Sequence, residues 1–196
     1  LKLIAAMIAS AGIGTYLLVD RLSHQGGLSA TVTTEQTTNL PTAALTRYTS
    51  GEGVMMALQI YTQIGATGTT VTCNYTNQAG TAGRTSQATA FGGAGFRELN
   101  RAIVMPLQEG DTGVRSVEGV TVLATTGTVG NFGVTLFRPL LLMPAPVAGQ
   151  TFEWDALFSL GGAAPDIVDD ACLSLMAIPA VTNSGIVQGK LLFAEN

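Results

Sequence analysis

A chain of 196 residues, 46% hydrophobic, only 11% charged and with a formal net charge of −4, is long enough to bury one core without disulfide help. Soluble domains usually have about a quarter of their residues charged; threonine, glycine and alanine stand in here, and such a surface does little to keep other surfaces away. The nine basic residues are scattered singly between Lys2 and Lys190, which argues against a phosphate-backbone partner, so no nucleic acid is expected.

The chain opens with an uncharged stretch, Leu3–Val19. Lys2, an apolar run and Ala9-Ser10-Ala11 mimic a secretion signal with its small-residue cleavage site, and a first residue other than Met leaves room for sequence upstream. Gly12, Gly14 and Thr15 interrupt the run, which is also marginal in length for a membrane span. Packing into a core or against a neighbouring subunit ranks first, a signal remnant second and a span third, so no membrane partner is expected. Leu3–Ala11 has the length of a short helix. Residues 1–19 read as an arm and residues 20–196 as the folded domain. Leu3, Ile4, Met7, Ile8, Leu17 and Leu18, exposed together, would form a larger apolar patch than a soluble monomer tolerates. A neighbouring protein is expected to cover these six, with Gly12–Gly14 as the hinge.

Beyond the arm the dominant period is two. Val54, Met56, Leu58 and Ile60 alternate with Met55, Ala57, Gln59 and Tyr61, the pattern of a strand with one buried face. Further strands are expected at Leu28–Thr34, Thr69–Thr76, Thr85–Phe91, Glu98–Met105, Gly113–Ala124, Val134–Met143, Thr151–Phe158, Cys172–Ile178 and Ile186–Phe193. Gly-, Asn- and Pro-rich phrases punctuate them, among them Thr37–Pro41, Ile64–Gly68 and Gly92–Gly95. Pro139 should confine its strand to an edge, a bulge or a break. Helix is sparse, with Ala94–Arg101 a second short candidate and Asp166–Ala171 a single turn capped by Asp166. About ten strands at short spacing predict an all-β fold, an antiparallel β-sandwich.

No motif carries catalysis. His24 is the only histidine, and neighbouring Ser23 would point to the opposite face of a strand, so the two do not read as a base and its nucleophile. Cys73 and Cys172 share no metal-ligand spacing and read as two buried thiols. Asp166, Asp169 and Asp170 lack the spacing of a calcium loop. The glycines of Gly92–Gly95 are not followed by the Lys-Ser/Thr of a phosphate cradle. Asn74-Tyr75-Thr76 is a chance-level glycosylation sequon. Phe152, Trp154 and Phe158 alternate as core residues do. No catalytic residue, metal or cofactor is expected.

Three phrases, Leu18–Leu28 (LVDRLSHQGGL), Thr33–Tyr48 (TTEQTTNLPTAALTRY) and Tyr61–Arg84 (YTQIG, then NYTNQAGTAGR), resemble structural proteins of tailed-bacteriophage virions, nearest to the small β-rich proteins that decorate or cement the head. The resemblance implies a jelly-roll-like sandwich, commonly trimeric, bound to the major capsid protein lattice on the capsid exterior and lacking an active site. A major capsid protein itself would need a long spine helix that the chain lacks. The alternative expectation is a glycan-binding β-sandwich of a head fibre or tail, with Trp154 or Tyr75 as stacking groups.

Overall fold

The computed structural model describes residues 1–41, 43–155, 165–179 and 186–195. Among them there is no helix; the elements are β1 (Lys2–Ser10), β2 (Gly14–Leu28), β3 (Gln36–Leu40), β4 (Met55–Thr62), β5 (Thr69–Asn77), β6 (Arg84–Thr85), β7 (Thr89–Phe91), β8 (Ala102–Val104), β9 (Val114–Val122), β10 (Asn131–Ala145), β11 (Thr151–Asp155), β12 (Leu173–Pro179) and β13 (Val187–Ala194). The sheets are antiparallel and the protein is all-β, as the period-two pattern predicts. The chain forms two compact units. Unit 1 holds Leu1–Asp20 with Pro139–Asn196, and unit 2 holds Arg21–Arg138. The long strands β2 and β10 each pass from one unit into the other.

In unit 1, β1 is the middle strand of the sheet β11-β1-β13. Ala6 faces Trp154 and Ile8 faces Phe152 on one side; Met7 faces Lys190 and Ile8 faces Gly189 on the other. The short helix expected at Leu3–Ala11 is therefore a strand. Ala6 and Ile8 are buried while Met7 and Ala9 are half-buried, an alternation that a central strand supports and a helix would not. β12 pairs with the first half of β2, from Leu173↔Asp20 to Pro179↔Gly14. Leu3, Ala6, Ile8, Tyr16, Leu18, Met143, Ala145 and Ile167 form the core of the unit. Between β1 and β2 the Gly12 N–H donates to Ser10 Oγ, and Ser10 Oγ is bonded to the buried Tyr16 hydroxyl at 2.5 Å.

This corrects the expected arm. Residues 1–19 lie in β1, a tight turn and the start of β2, all within unit 1, because strands from the far end of the chain flank β1 on both sides. Gly12–Gly14 is a pinned turn instead of a hinge.

In unit 2, one sheet runs β3-β9-β5-β6, with β7 also on β5; β10 pairs with β4, and β4 with β8. Val54, Met56, Leu58 and Ile60 are all at 0% exposure, as their alternation predicts. They pack with Val71, Cys73, Tyr75, Phe91, Val120, Val122, Phe132 and Leu136 in one cluster, and the Phe91 and Phe132 rings meet edge to face at 4.9 Å. Pro139 lies two residues past Phe137↔Met55, where the ladder with β4 ends. Its missing N–H costs that ladder no bond.

Local expectations differ in several places; Thr85–Phe91 is divided between β6 and β7, and Glu98–Met105 is shortened to β8. Only Leu28 of Leu28–Thr34 is in a strand, because Gln36 Oε1 accepts from Ser29 N–H and its amide donates back to Ser29 O, a local closure that competes with extension. Thr37–Pro41, read as a loop, contains most of β3, held to β9 by backbone pairing and by Thr38 Oγ1 donating to Val117 O. Ala94–Arg101 is a series of turns, with Gly95 at φ 84° and Asn100 at φ 62°, left-handed positions that a right-handed helix cannot contain.

Candidate functional site

His24 sits in a directional chain of polar groups. Tyr61 OH lies 2.5 Å from His24 Nε2, His24 Nδ1 lies 2.7 Å from Thr135 Oγ1, and Thr135 donates to Gln59 Oε1 at 3.0 Å. One assignment satisfies every member: Tyr61 O–H donates to Nε2, Nδ1–H donates to Thr135, and Thr135 O–H donates to Gln59. In that assignment His24 donates to Thr135 and accepts from Tyr61. Burial, aided by the Arg21 charge, lowers the imidazole below its ordinary 6.5, which favours the neutral ring. Ser23 takes no part in the chain.

The strongest electrostatic cluster is one that sequence reasoning missed. The Asp111 carboxylate, 3% exposed, accepts from Arg84 Nε at 2.9 Å, Tyr75 OH at 2.5 Å and Asn77 Nδ2 at 2.7 Å. The Arg84 hydrogen bond leads in holding Asp111 down to about 2. Burial and the bond to Asp111 push Tyr75 up to about 12. Every oxygen is engaged within the chain, so the cluster ties β5 and β6 to the loop before β9. Only the strand that holds Tyr75 was legible beforehand; Asn77 lies one residue past the expected strand, at the end of β5, and Arg84 and Asp111 bear no motif.

The remaining candidates lie outside these two clusters. Cys73 is buried and its thiol is pushed up to about 12 by that burial. Cys172, expected to be buried, is exposed, one residue before β12, with its N–H donating to buried Asp20. Asp166 forms a surface ion pair with Lys2 at 3.1 Å instead of capping the turn, which Ala171 N–H closes on Val168 O. Among the described residues, no three His, Cys, Asp or Glu gather as a metal site. Gly92 packs so closely that a Cβ there would sit 2.5 Å from Thr67 O, so its role is packing and not phosphate binding. Asn74 is half-buried on β5 between β9 and β6, with its Oδ1 fully covered.

Both proposed stacking groups are turned inward. Tyr75 is at 0% exposure. Trp154 shares a face with buried Ala6 and packs on the unit 1 core together with Phe152. Phe158 lies outside the described residues.

Comparisons with protein-family models, curated proteins and solved structures return no match. The chain's own surface must therefore carry the functional argument.

The six apolar residues expected to need a neighbour divide. Leu3, Ile8, Leu17 and Leu18 are buried within the chain, and only Ile4 and Met7 stay half-buried. Their own sheets cover them, which corrects the argument from exposure. Other apolar residues of unit 1 are in the open: Leu142, Leu175, Ile186 and Leu192 are each about half exposed or more, at 57%, 48%, 73% and 58%. Leu175 also lines a cavity of about 270 Å³, with Ile8, Leu18, Met143, Leu173, Val187 and Leu191 and with the polar Ser174, Gln188 and Lys190.

Proposed function

We propose that this protein is a non-enzymatic structural component of a phage virion. It binds the outside of the major capsid protein lattice and its own copies, a trimer being the favoured assembly. The observation that carries this reading is the open apolar surface of unit 1, on a chain with too few charges to keep such surfaces apart. Burying that surface at subunit boundaries gains about 25 cal/mol per Å² before association costs are subtracted. The resemblance of three phrases to head decoration proteins points the same way. Catalysis has no comparable support: the sole histidine is held between two hydroxyls of the chain's own side chains, Tyr61 and Thr135, and the best-held carboxylate is saturated by partners within the chain. The glycan reading is left with Trp154 alone, half-buried against the unit 1 core, since Tyr75 is wholly buried.

Co-sedimentation of the purified chain with bare phage heads tests the proposal. Saturable binding at a fixed ratio to the major capsid protein is the expected result. Heads that stay bare at micromolar chain concentrations would overturn it.

A further inference from the structure

Within unit 2, the neighbouring strands β2, β10 and β4 each contribute two alternate residues to one small cluster: His24 and Gly26, Gly133 and Thr135, Gln59 and Tyr61. Ile60 and Val134, which lie between the paired positions on β4 and β10, are wholly buried in the unit 2 core, so the cluster occupies the opposite face of the sheet. The Tyr61 ring rests over the two glycines. A Cβ on Gly133 would press on its Cε2 at 3.0 Å, and one on Gly26 would touch it at 3.5 Å. The ring meets the imidazole edge to face with centroids 5.5 Å apart, and its hydroxyl reaches Nε2 at 2.5 Å. The phenol is thus seated by three strands and is still 38% exposed.

Taking an electron from a phenol makes its O–H strongly acidic, so the loss is easiest where a positioned base receives the proton in the same step. The four tyrosines differ in this respect. Tyr16 is buried, with its hydroxyl on Ser10 Oγ. Tyr75 is at 0% exposure, and its hydroxyl donates to Asp111, a carboxylate held down to about 2 and therefore a poor base. Tyr48 has the Arg138 guanidinium over its ring at 5.4 Å, a positive charge that opposes loss of an electron. Tyr61 alone combines exposure with a hydroxyl on an imidazole nitrogen. The far side of that imidazole is held by Thr135 and, through it, by Gln59, which fixes the ring in place.

We propose that Tyr61 is the tyrosine of this chain that one-electron oxidants modify, with His24 as its proton acceptor, and that the product joins two copies covalently. The oxidant, a freely diffusing radical or a one-electron metal complex, gains one electron. The phenolic proton passes to Nε2 in the same step, leaving a neutral phenoxyl radical and an imidazolium. Burial and the Arg21 charge disfavour the imidazolium, so the proton moves on to water. Two such radicals, one from each copy, form a carbon–carbon bond between ring positions ortho to oxygen. Cε2 packs against the glycines, so Cε1 is the carbon that couples. The hydrogen on each coupled carbon is then lost as a proton while each oxygen regains one, restoring two phenols. Each dityrosine therefore costs two electrons, taken by two oxidant molecules, and releases two protons.

Photo-oxidation of the full chain tests this, with tris(bipyridine)ruthenium(II) and persulfate flashed with visible light as the source of oxidant. Dityrosine fluorescence and a covalent two-chain band should appear, and tandem mass spectrometry of the linked peptide should place the bond at Tyr61. Tyr61→Phe, which keeps the ring, should abolish the product, whereas Tyr48→Phe should leave it unchanged. His24→Gln should slow formation of the phenoxyl radical about a hundredfold, the low end for a positioned base, with an unchanged β-type circular dichroism spectrum. Wild-type oxidation should also run slower in heavy water, because a proton moves with the electron; this measurement and the mass spectrometry need no variant and hold if His24→Gln misfolds. A bond mapped to Tyr48, or a product that survives Tyr61→Phe, overturns the site. A folded His24→Gln chain that is oxidised at the wild-type rate, or a wild-type rate equal in light and heavy water, overturns His24 as the proton acceptor.

Discussion

Unit 1 and unit 2 draw on the same charge-poor alphabet and use it in opposite ways. Of the hydrophobic residues described at 0% exposure, Leu3 alone lies in unit 1 and sixteen lie in unit 2. The longer unit exposes six large apolar residues, whereas the shorter exposes nine. Chain connectivity accounts for part of the contrast. Unit 2 is one continuous segment whose β5, β9 and β4 place alternate residues inward from both sides. Unit 1 is assembled from the two ends of the chain, and its small sheet has one well-covered strand, β1. A low content of charge therefore does not dictate an open surface; how fully each sheet face is covered does.

Removing residues 1–13 is the most severe way to break the comparison. It deletes the middle strand of β11-β1-β13, so protection from hydrogen exchange should vanish in β11 and β13 and persist in β4, β5 and β9. Uniform loss of protection would mean that the two units do not differ in autonomy.

A milder contrast sets Phe132→Ala against Leu192→Ala. Phe132 is wholly buried against Phe91, so its truncation should cost about 3–5 kcal/mol. Leu192 is 58% exposed, so its loss should cost no more than about 0.5 kcal/mol. Denaturant titration of both variants measures the gap, and equal costs would contradict the coverage described here.

Acid sharpens the comparison through Asp111. Its pKa falls from 3.8 unfolded to about 2 folded. The unfolded state therefore binds the proton more readily, and the stability Asp111 contributes is complete above about pH 4 and lost as pH falls through 2. Asp111→Asn should destabilise unit 2 at neutral pH and flatten that acid limb in melts between pH 2 and 5.

His24 should have the smallest effect. Its folded pKa lies below 6.5, so its contribution is complete above the unfolded value and fades as pH drops through the folded one. His24→Gln should remove a shallow slope in unit 2 stability below pH 6.5, with the imidazole titration followed by NMR. An imidazole that titrates above 6.5 would contradict its place as an acceptor from Tyr61.

Much of the fold was legible where one strand face is buried and the other is not. Val54–Ile60 announces β4, and the Thr-rich stretch from Thr69 announces β5, because period-two alternation needs no knowledge of the partner strand. β1 was not legible: Leu3–Ala11 is apolar on both faces, and a short apolar run of that kind suits helix and strand alike. β3 was masked by its own turn chemistry at Asn39-Leu40-Pro41. At the site level, His24 could be named but its partners Tyr61, Thr135 and Gln59 could not. The Asp111 cluster was invisible because its four members come from three separated segments.

From the sequence by itself came the all-β class, the core face of β4, the scarcity of charge and the lack of a catalytic motif, since composition and alternation act locally along the chain. The tertiary structure alone decided that the first twenty residues fold with the last, that Leu3, Ile8 and Leu18 are covered by their own chain, and that the open apolar surface belongs instead to Leu142, Leu175, Ile186 and Leu192. Strand pairing joins residues nearly two hundred positions apart, and which apolar face it covers depends on the partner and not on the strand.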